Sequence, residues 1–191
     1  MPDFLLEKQA NSKGFKFVCG VDEAGRGPLA GPVCAAAVIL PIDEEIEGLN
    51  DSKKLSEKKR EELFPLITEK AIGYSIAYAS VEEIEEHNIL NATYLAMNRA
   101  IEGLGIPADF ALIDGNRVPT GIKVPCQTVV KGDSKSMSVA AASVLAKVTR
   151  DRLMLEEDEK YPEYNFKKHK GYGTKEHTDA ILKYGLSPIH R

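Results

Sequence analysis

The run Phe15-Lys16-Phe17-Val18-Cys19-Gly20-Val21 leads directly into Asp22-Glu23-Ala24-Gly25-Arg26-Gly27-Pro28, and the reading of this junction decides the fold. The first seven residues form a short apolar run flanked by glycine, which predicts a strand rather than a helix. The strand is expected to stop at two adjacent acids. Behind them, two glycines bracket an arginine. Glycine lets a backbone approach a ligand closely and present its N–H groups, and Arg26 between them can reach a phosphate. A tight turn ahead of the next strand explains the same residues, so the loop alone leaves both readings open.

Working outward, Pro32-Val33 to Leu40 is a second apolar strand, closed by Pro41, and Ile72 to Ala79 is a third. Between them Ser56 caps a charged helix that Pro65 is expected to end or kink just after Phe64. Ser80-Val81-Glu82-Glu83 has the form of a capping box and opens a short helix. A longer one covers Ile89 to Glu102, with Leu90, Tyr94, Met97 and Ile101 at helical spacing and Gly103 behind it. Phe110 to Ile113 is a fourth strand, halting at Asp114-Gly115. Cys126 to Val130 is a fifth, halting at Lys131-Gly132-Asp133. A long alanine-rich helix from about Met137 to Glu159 follows, and a last helix from Lys175 to Tyr184 is capped by Thr174 and stopped by Gly185 and Pro188. This order predicts an α/β fold: a mixed central five-stranded sheet flanked by helices, its later strands parallel through right-handed crossovers. Residues 1–191 are expected to form one domain. Its helical C-terminal part, from about residue 160, carries the Gly171-Tyr172-Gly173 loop.

Composition narrows the class. Hydrophobic residues make up 43% and charged residues 28% of the 191, enough for one substantial core. No apolar run reaches the ~18–20 residues of a membrane span. The first residues lack the basic start and apolar stretch of a signal peptide, so a cytoplasmic protein is expected. Cys19, Cys34 and Cys126 stand singly in apolar segments and are expected to be buried, reduced thiols. The net charge of −4 is unevenly spread, with bases crowding Lys53-Lys54, Lys58-Lys59-Arg60 and Lys167-Lys168-His169-Lys170. A local basic face for nucleic acid is compatible with that total.

Asp22, Asp114 and Asp133 each lie at, or within three residues of, the end of an apolar strand. Neighbouring strands would bring these ends to one edge of the sheet, where open α/β sheets place their sites. Glu23 adds a fourth carboxylate. Like charges gathered near a core repel and lose hydration, and a cation relieves both. All-oxygen ligation indicates Mg²⁺ or Mn²⁺ rather than zinc. Turn formation and helix capping are the other explanation for strand-end acids, and spacing alone divides the two about evenly. Asp51-Ser52-Lys53-Lys54-Leu55 and Asp133-Ser134-Lys135-Ser136 are alike in make-up and precede helices. They suit phosphodiester contacts, or plain capping. Lys170-Gly171-Tyr172-Gly173-Thr174 sets an aromatic ring between glycines beside a basic run, as a platform for a sugar or base, or as a buried turn. His169 and His177 flank this loop without thiol partners, and His87 and His190 carry no signal.

Taken together, the motifs resemble bacterial ribonuclease HII. They are Asp-Glu-Ala-Gly-Arg-Gly-Pro (22–28), Asp-Ser-Lys-Lys-Leu (51–55), Ile-Asp-Gly (113–115), Lys-Gly-Asp (131–133), Ser-Val-Ala-Ala-Ala-Ser-Val-Leu-Ala-Lys-Val-Thr-Arg-Asp (138–151) and His-Lys-Gly-Tyr-Gly-Thr (169–174). The match spans about Val18 to Arg191. It implies a ribonuclease H-like fold and hydrolysis of the RNA strand of RNA/DNA hybrids. It also implies cutting on the 5′ side of a single ribonucleotide in duplex DNA, leaving 3′-hydroxyl and 5′-phosphate ends. By the same resemblance Asp22, Glu23, Asp114 and Asp133 are the catalytic, metal-binding acids, holding Mg²⁺ or Mn²⁺. Gly25, Arg26 and Gly27 match the loop that recognises the 2′-hydroxyl, and Tyr172 matches the tyrosine that stacks on the deoxyribose at the RNA–DNA junction. Lys53, Lys54 and Ser134 carry over as phosphate contacts. Asp22-Glu23 side by side separates the chain from type HI, and Asp133, in place of glutamate, from type HIII. The expected partners are RNA/DNA hybrid and ribonucleotide-containing duplex DNA, with the enzyme acting as a monomer. A sliding clamp is compatible with the resemblance, although no residue marks the contact. Family chains generally run somewhat beyond position 191, which leaves a C-terminal contribution to duplex or clamp binding open.

Overall fold

A strand with apolar residues on both faces needs cover on both, and the stretch Val33-Cys34-Ala35-Ala36-Ala37-Val38-Ile39 is buried at every position. The computed structural model, which describes residues 1–191, supplies that cover. Its elements are α1 (Leu5–Ser12), β1 (Val18–Ala24), β2 (Val33–Ile39), α2 (Glu57–Lys70), β3 (Gly73–Ala79), α3 (Val81–Glu102), β4 (Phe110–Asp114), β5 (Cys126–Val129), α4 (Met137–Lys160), α5 (Phe166–His169) and α6 (Lys175–Tyr184). Short 3₁₀ turns at Ser52–Lys54, Gly132–Ser134 and Pro162–Tyr164 join some of them. The sheet has the order β3-β2-β1-β4-β5. β1 runs antiparallel to β2 and β2 to β3, whereas β1, β4 and β5 are parallel. This is the mixed five-stranded sheet expected.

The two faces of β2 divide by parity, as a pleated strand requires. Cys34, Ala36 and Val38 pack with Leu63 and Ile67 of α2 and with Ala141, Val144 and Leu145 of α4. Val33, Ala35, Ala37 and Ile39 pack with Ala92, Ala96, Met97 and Ala100 of α3. Small residues bring β1 and α4 into near contact: a Cβ on Gly20 would lie 2.1 Å from the Ser138 carbonyl carbon. The start of α4 is thereby pressed against the strand that carries Asp22.

Four local expectations need amendment. α2 does not stop at Pro65 but runs on to Lys70. Pro65 lies on the exposed side, so the carbonyl it leaves without a donor faces water, and burial of Leu63 and Ile67 holds the helix on both sides of it. Asp22 and Glu23 lie within β1, where Asp22 pairs with Ala36, instead of following the strand. Cys126 is half-buried because β5 is an edge strand. The first seventeen residues hold a helix that the sequence did not suggest. In it, buried Glu7 accepts hydrogen bonds from the Ser136 hydroxyl at 2.6 Å and the Ser138 N–H at 3.0 Å, anchoring the first turn of α4. The two helices read in 80–102 do form, as α3 broken at Asn88, whose φ of 65° is left-handed.

Candidate active site

Parallel pairing sets Val21 of β1 beside Ile113 of β4, so Asp22 and Asp114 emerge as neighbours. Asp114, the last residue of β4, pairs in turn with Val129 of β5. From there the chain turns through Lys131, left-handed at φ 56°, into Gly132–Ser134. The Gly132 N–H donates to Asp114 Oδ1 at 2.6 Å, tying the Asp133 turn to the end of β4. Three consecutive strands of the sheet thus deliver Asp22, Asp114 and Asp133 to one edge. Glu23 joins them on β1; its N–H donates to Asp22 Oδ1 at 2.7 Å, and its Oε1 lies 3.4 Å from Arg26 Nη1.

The edge is crowded with negative charge and short of water. Asp22 and Asp133 are each only 6% exposed. Burial, then Glu23 and Asp114, raise the Asp22 carboxyl well above the usual range, against the opposing bond from the Glu23 N–H. Burial also raises Glu23, with Arg26 opposing and Asp114 adding to it. Asp133 is pushed up to about 6 by burial, by Asp114 and by Asp51 beside it. Lys53 faces the same edge: burial works against its charge, but the carboxylates of Asp22, Asp133, Asp51 and Asp114 outweigh it and raise its pKa. No three acidic, histidine or cysteine side chains converge as a finished ligand set, in keeping with like charges that hold one another apart. The donors are all carboxylate oxygens, desolvated and mutually repelling. That set fits a hard divalent cation.

The other residues singled out in the sequence divide. Lys54 is exposed, with its ammonium 3.9 Å from Asp51. The Ser134 hydroxyl is spent within its own turn, on the Lys131 carbonyl at 2.9 Å. Tyr172 does approach, 43% exposed, with its ring edge against Gly27, where a Cβ would sit 3.5 Å from Cε1. Glu23, Arg26, Asp114, Tyr94, Asn116 and Arg117 border a cleft of about 300 Å³ beside the acids.

Two arginines that the sequence reading assigned no role shape the Gly25–Gly27 loop. Arg191 donates to the carbonyls of Gly25 at 2.6 Å, Gly31 at 2.7 Å and Pro28 at 3.0 Å, with Arg26 further off at 3.4 Å. Arg150, 1% exposed, donates to Ala30 at 2.9 Å, Pro32 at 3.1 Å and Lys170 at 3.0 Å. Gly25 has φ of 104°, and a Cβ there would lie 2.2 Å from Arg150 Nε, so only glycine fits. With the carbonyls gathered inward, the N–H groups of Gly25, Arg26 and Gly27 are left without a backbone acceptor. Arg150 sits among Lys147, Asp151 and Arg152 in α4, and nothing in that charged stretch set it apart.

The sequence model of the Ribonuclease HII family matches residues 19–191. Ribonuclease HII of Clostridioides difficile is 57% identical over 187 residues, covering 98% of this chain and 73% of the relative. Ribonuclease HII of Endomicrobium trichonymphae is 56% identical over 188 residues, covering 98% and 90%. Among solved structures, the ribonuclease H2 of Pyrococcus horikoshii superimposes with a TM-score of 0.77 at 29% identity, covering 92% of each chain. The ribonuclease HII in the PCNA complex from Archaeoglobus fulgidus gives 0.71 at 27% identity, covering 92% and 94%. With this sheet order, a carboxylate edge on three adjacent strands and a family match over nearly its whole length, the chain belongs to the ribonuclease HII family of metal-dependent endoribonucleases.

Proposed function

We propose that this protein nicks duplex DNA on the 5′ side of single embedded ribonucleotides as well as cutting the RNA strand of RNA/DNA hybrids. Asp22, Glu23, Asp114 and Asp133 are the catalytic acids and hold Mg²⁺ or Mn²⁺, two ions in the productive complex. When bound there, the ions neutralise the carboxylates, lower the pKa of water and stabilise charge on the leaving oxygen. Water attacks the phosphorus on the 5′ side of the ribonucleotide and the P–O3′ bond to the preceding nucleotide breaks, so that oxygen leaves as the 3′-hydroxyl and the phosphate stays on the 5′ carbon of the ribonucleotide. Lys53, drawn toward the carboxylates, offsets their charge as the phosphate arrives. In this reading Arg26 meets a phosphate oxygen, and Lys54 and Ser134 meet phosphates further along the duplex once the Ser134 hydroxyl leaves its own turn.

The observation that carries the reading is the pairing of the carboxylate edge with a loop of unpartnered N–H groups. Gly25, Arg26 and Gly27 offer main-chain groups, whose position does not depend on a rotamer, to the 2′-hydroxyl that separates RNA from DNA. Tyr172, seated against Gly27, stacks on the deoxyribose that follows. A sliding-clamp contact is supported by the PCNA complex of the Archaeoglobus fulgidus relative. The deciding experiment is cleavage of a labelled DNA duplex containing one ribonucleotide, with Mg²⁺, with Mn²⁺ and with EDTA. A metal-dependent nick on the 5′ side is expected. Duplex binding by folded protein with no nick under any metal would replace this reading with a non-catalytic hybrid-binding one.

A further inference from the structure

The loop carrying Tyr172 rests on three imidazoles that the proposed reaction does not use. His169, His177 and His190 are all buried, and the rings of His169 and His177 stack with centroids 4.4 Å apart. Their contacts fix where each proton sits. Nδ1 of His177 lies 2.9 Å from the Tyr172 carbonyl oxygen. A carbonyl only accepts, so Nδ1 carries the hydrogen and Nε2 of the same ring is bare. Nε2 of His190, 2.9 Å away, must then donate to it. That leaves His190 Nδ1 as an acceptor, and it receives the Ser187 N–H at 2.9 Å and the Ser187 hydroxyl at 2.8 Å. His169 stands outside the chain, donating from Nε2 to the Tyr164 carbonyl at 2.8 Å and accepting the Gly171 N–H at 3.2 Å. The bonds run one way, from Ser187 through His190 and His177 to the Tyr172 carbonyl. They close only while both linking rings are neutral, and burial lowers the pKa of each.

Such a relay needs a purpose. Apolar residues could fill the same space without four buried ring nitrogens to satisfy. At its far end is Tyr172, whose ring stands against Gly27 of the Gly25–Gly27 loop. The Tyr172 carbonyl also accepts the Thr174 N–H at 2.8 Å. With both donors present the peptide plane cannot turn about a single bond, and the direction of its Cα–Cβ bond is fixed. We infer that His177, through its bond to the Tyr172 carbonyl, is a positioning residue that sets the angle at which Tyr172 meets the sugar at the RNA–DNA junction. This rests on the junction role given to Tyr172 above.

The test separates the two bonds of His177 by substitution. Asparagine places its amide nitrogen where Nδ1 lies, so His177→Asn keeps the bond to Tyr172 and gives up the one to His190. Glutamine reaches the position of Nε2, so His177→Gln does the reverse. Each variant, with Tyr172→Ala, is assayed on a duplex holding one ribonucleotide and on a long RNA/DNA hybrid, and the ratio of the two kcat/KM values is compared with wild type. His177→Gln is expected to lower the ratio about fivefold, the worth of one hydrogen bond, and His177→Asn to keep it within about twofold. If Tyr172→Ala lowers the ratio and His177→Gln does not, the inference is overturned and the junction role of Tyr172 stands. If Tyr172→Ala leaves the ratio unchanged, the junction role fails and the inference falls with it. ¹⁵N chemical shifts of the His177 ring in the wild-type protein give a check that needs no variant to fold. A protonated Nδ1 and bare Nε2 are expected, and the opposite tautomer would overturn the relay.

Discussion

Three carboxylates and burial all oppose the charge of Asp22. Asp22→Asn is expected to abolish cleavage while leaving the fold intact. In EDTA the variant should also melt at a higher temperature than wild type, because one repelling charge is gone. A folded variant with normal turnover would remove Asp22 from the catalytic set. Gly25 is constrained differently. With φ of 104° and Arg150 Nε 2.2 Å from the Cβ it lacks, Gly25→Ala should cost about 1–3 kcal/mol in urea denaturation and impair cleavage of both substrates. At this scale the sequence singled out residues where chemistry asks for a particular type: four acids, two glycines and a tyrosine. It was silent on Arg150, Arg191, His177 and His190, whose partners, apart from Ser187 beside His190, are carbonyls and ring nitrogens more than a helical turn away in sequence. A carbonyl is the same at every position and leaves no mark on the pattern.

Elements were legible wherever end signals are local. Ser80 accepts from the Glu83 N–H while Glu83 accepts from the Ser80 N–H, the capping box expected of that tetrad, and Thr174 and Gly185 bound α6 as read. Pro65 misled because propensity is a local cost of about 3 kcal/mol, which the burial of Leu63 and Ile67 outweighs. The contact between β1 and α4 depends on Gly20, where an added Cβ would meet main-chain atoms that cannot move aside. Gly20→Ala is expected to destabilise the protein by about 3 kcal/mol or more, beyond ordinary overpacking, with a lower melting temperature as the readout. The Glu83 carboxylate is held down at about 2 by Arg99, which pairs with it, and by the Ser80 N–H. Its folded pKa lies below the unfolded value of about 4.3. The stability it contributes is present above that value and is lost as pH falls toward about 2. Glu83→Gln should flatten the acid limb of the unfolding curve there.

Over the whole molecule, the carboxylate edge imposes the opposite sign. Asp133 is raised to about 6 from an unfolded value of about 3.9, so the folded state holds its proton more tightly. The contribution is favourable at low pH and is lost as pH rises from about 4 through about 6. Metal-free protein is therefore expected to lose stability across that interval. Mg²⁺ or Mn²⁺ should restore it at neutral pH, seen as a rise in melting temperature that Asp22→Asn diminishes. An unchanged melting temperature with metal would argue against ion binding at this edge. The sheet that creates the edge could be anticipated from strand order. The way α1 and the C-terminal segment close over it could not, because both act through contacts between distant parts of the chain.

Those distant contacts also impose an order on assembly. Gly25 and Arg191 are 166 positions apart, yet the carbonyl of one is bound by the guanidinium of the other, and Ala30 pairs with His190. While the protein is being synthesised, β1, β4, β5 and the start of α4 have all left the ribosome well before residues 187–191 are made. The acids can then gather at their edge while the Gly25–Gly27 loop still lacks the donors that turn its carbonyls inward. A nascent chain at that stage would have the acids of the proposed catalytic set gathered, but not yet the main-chain loop proposed to meet the 2′-hydroxyl.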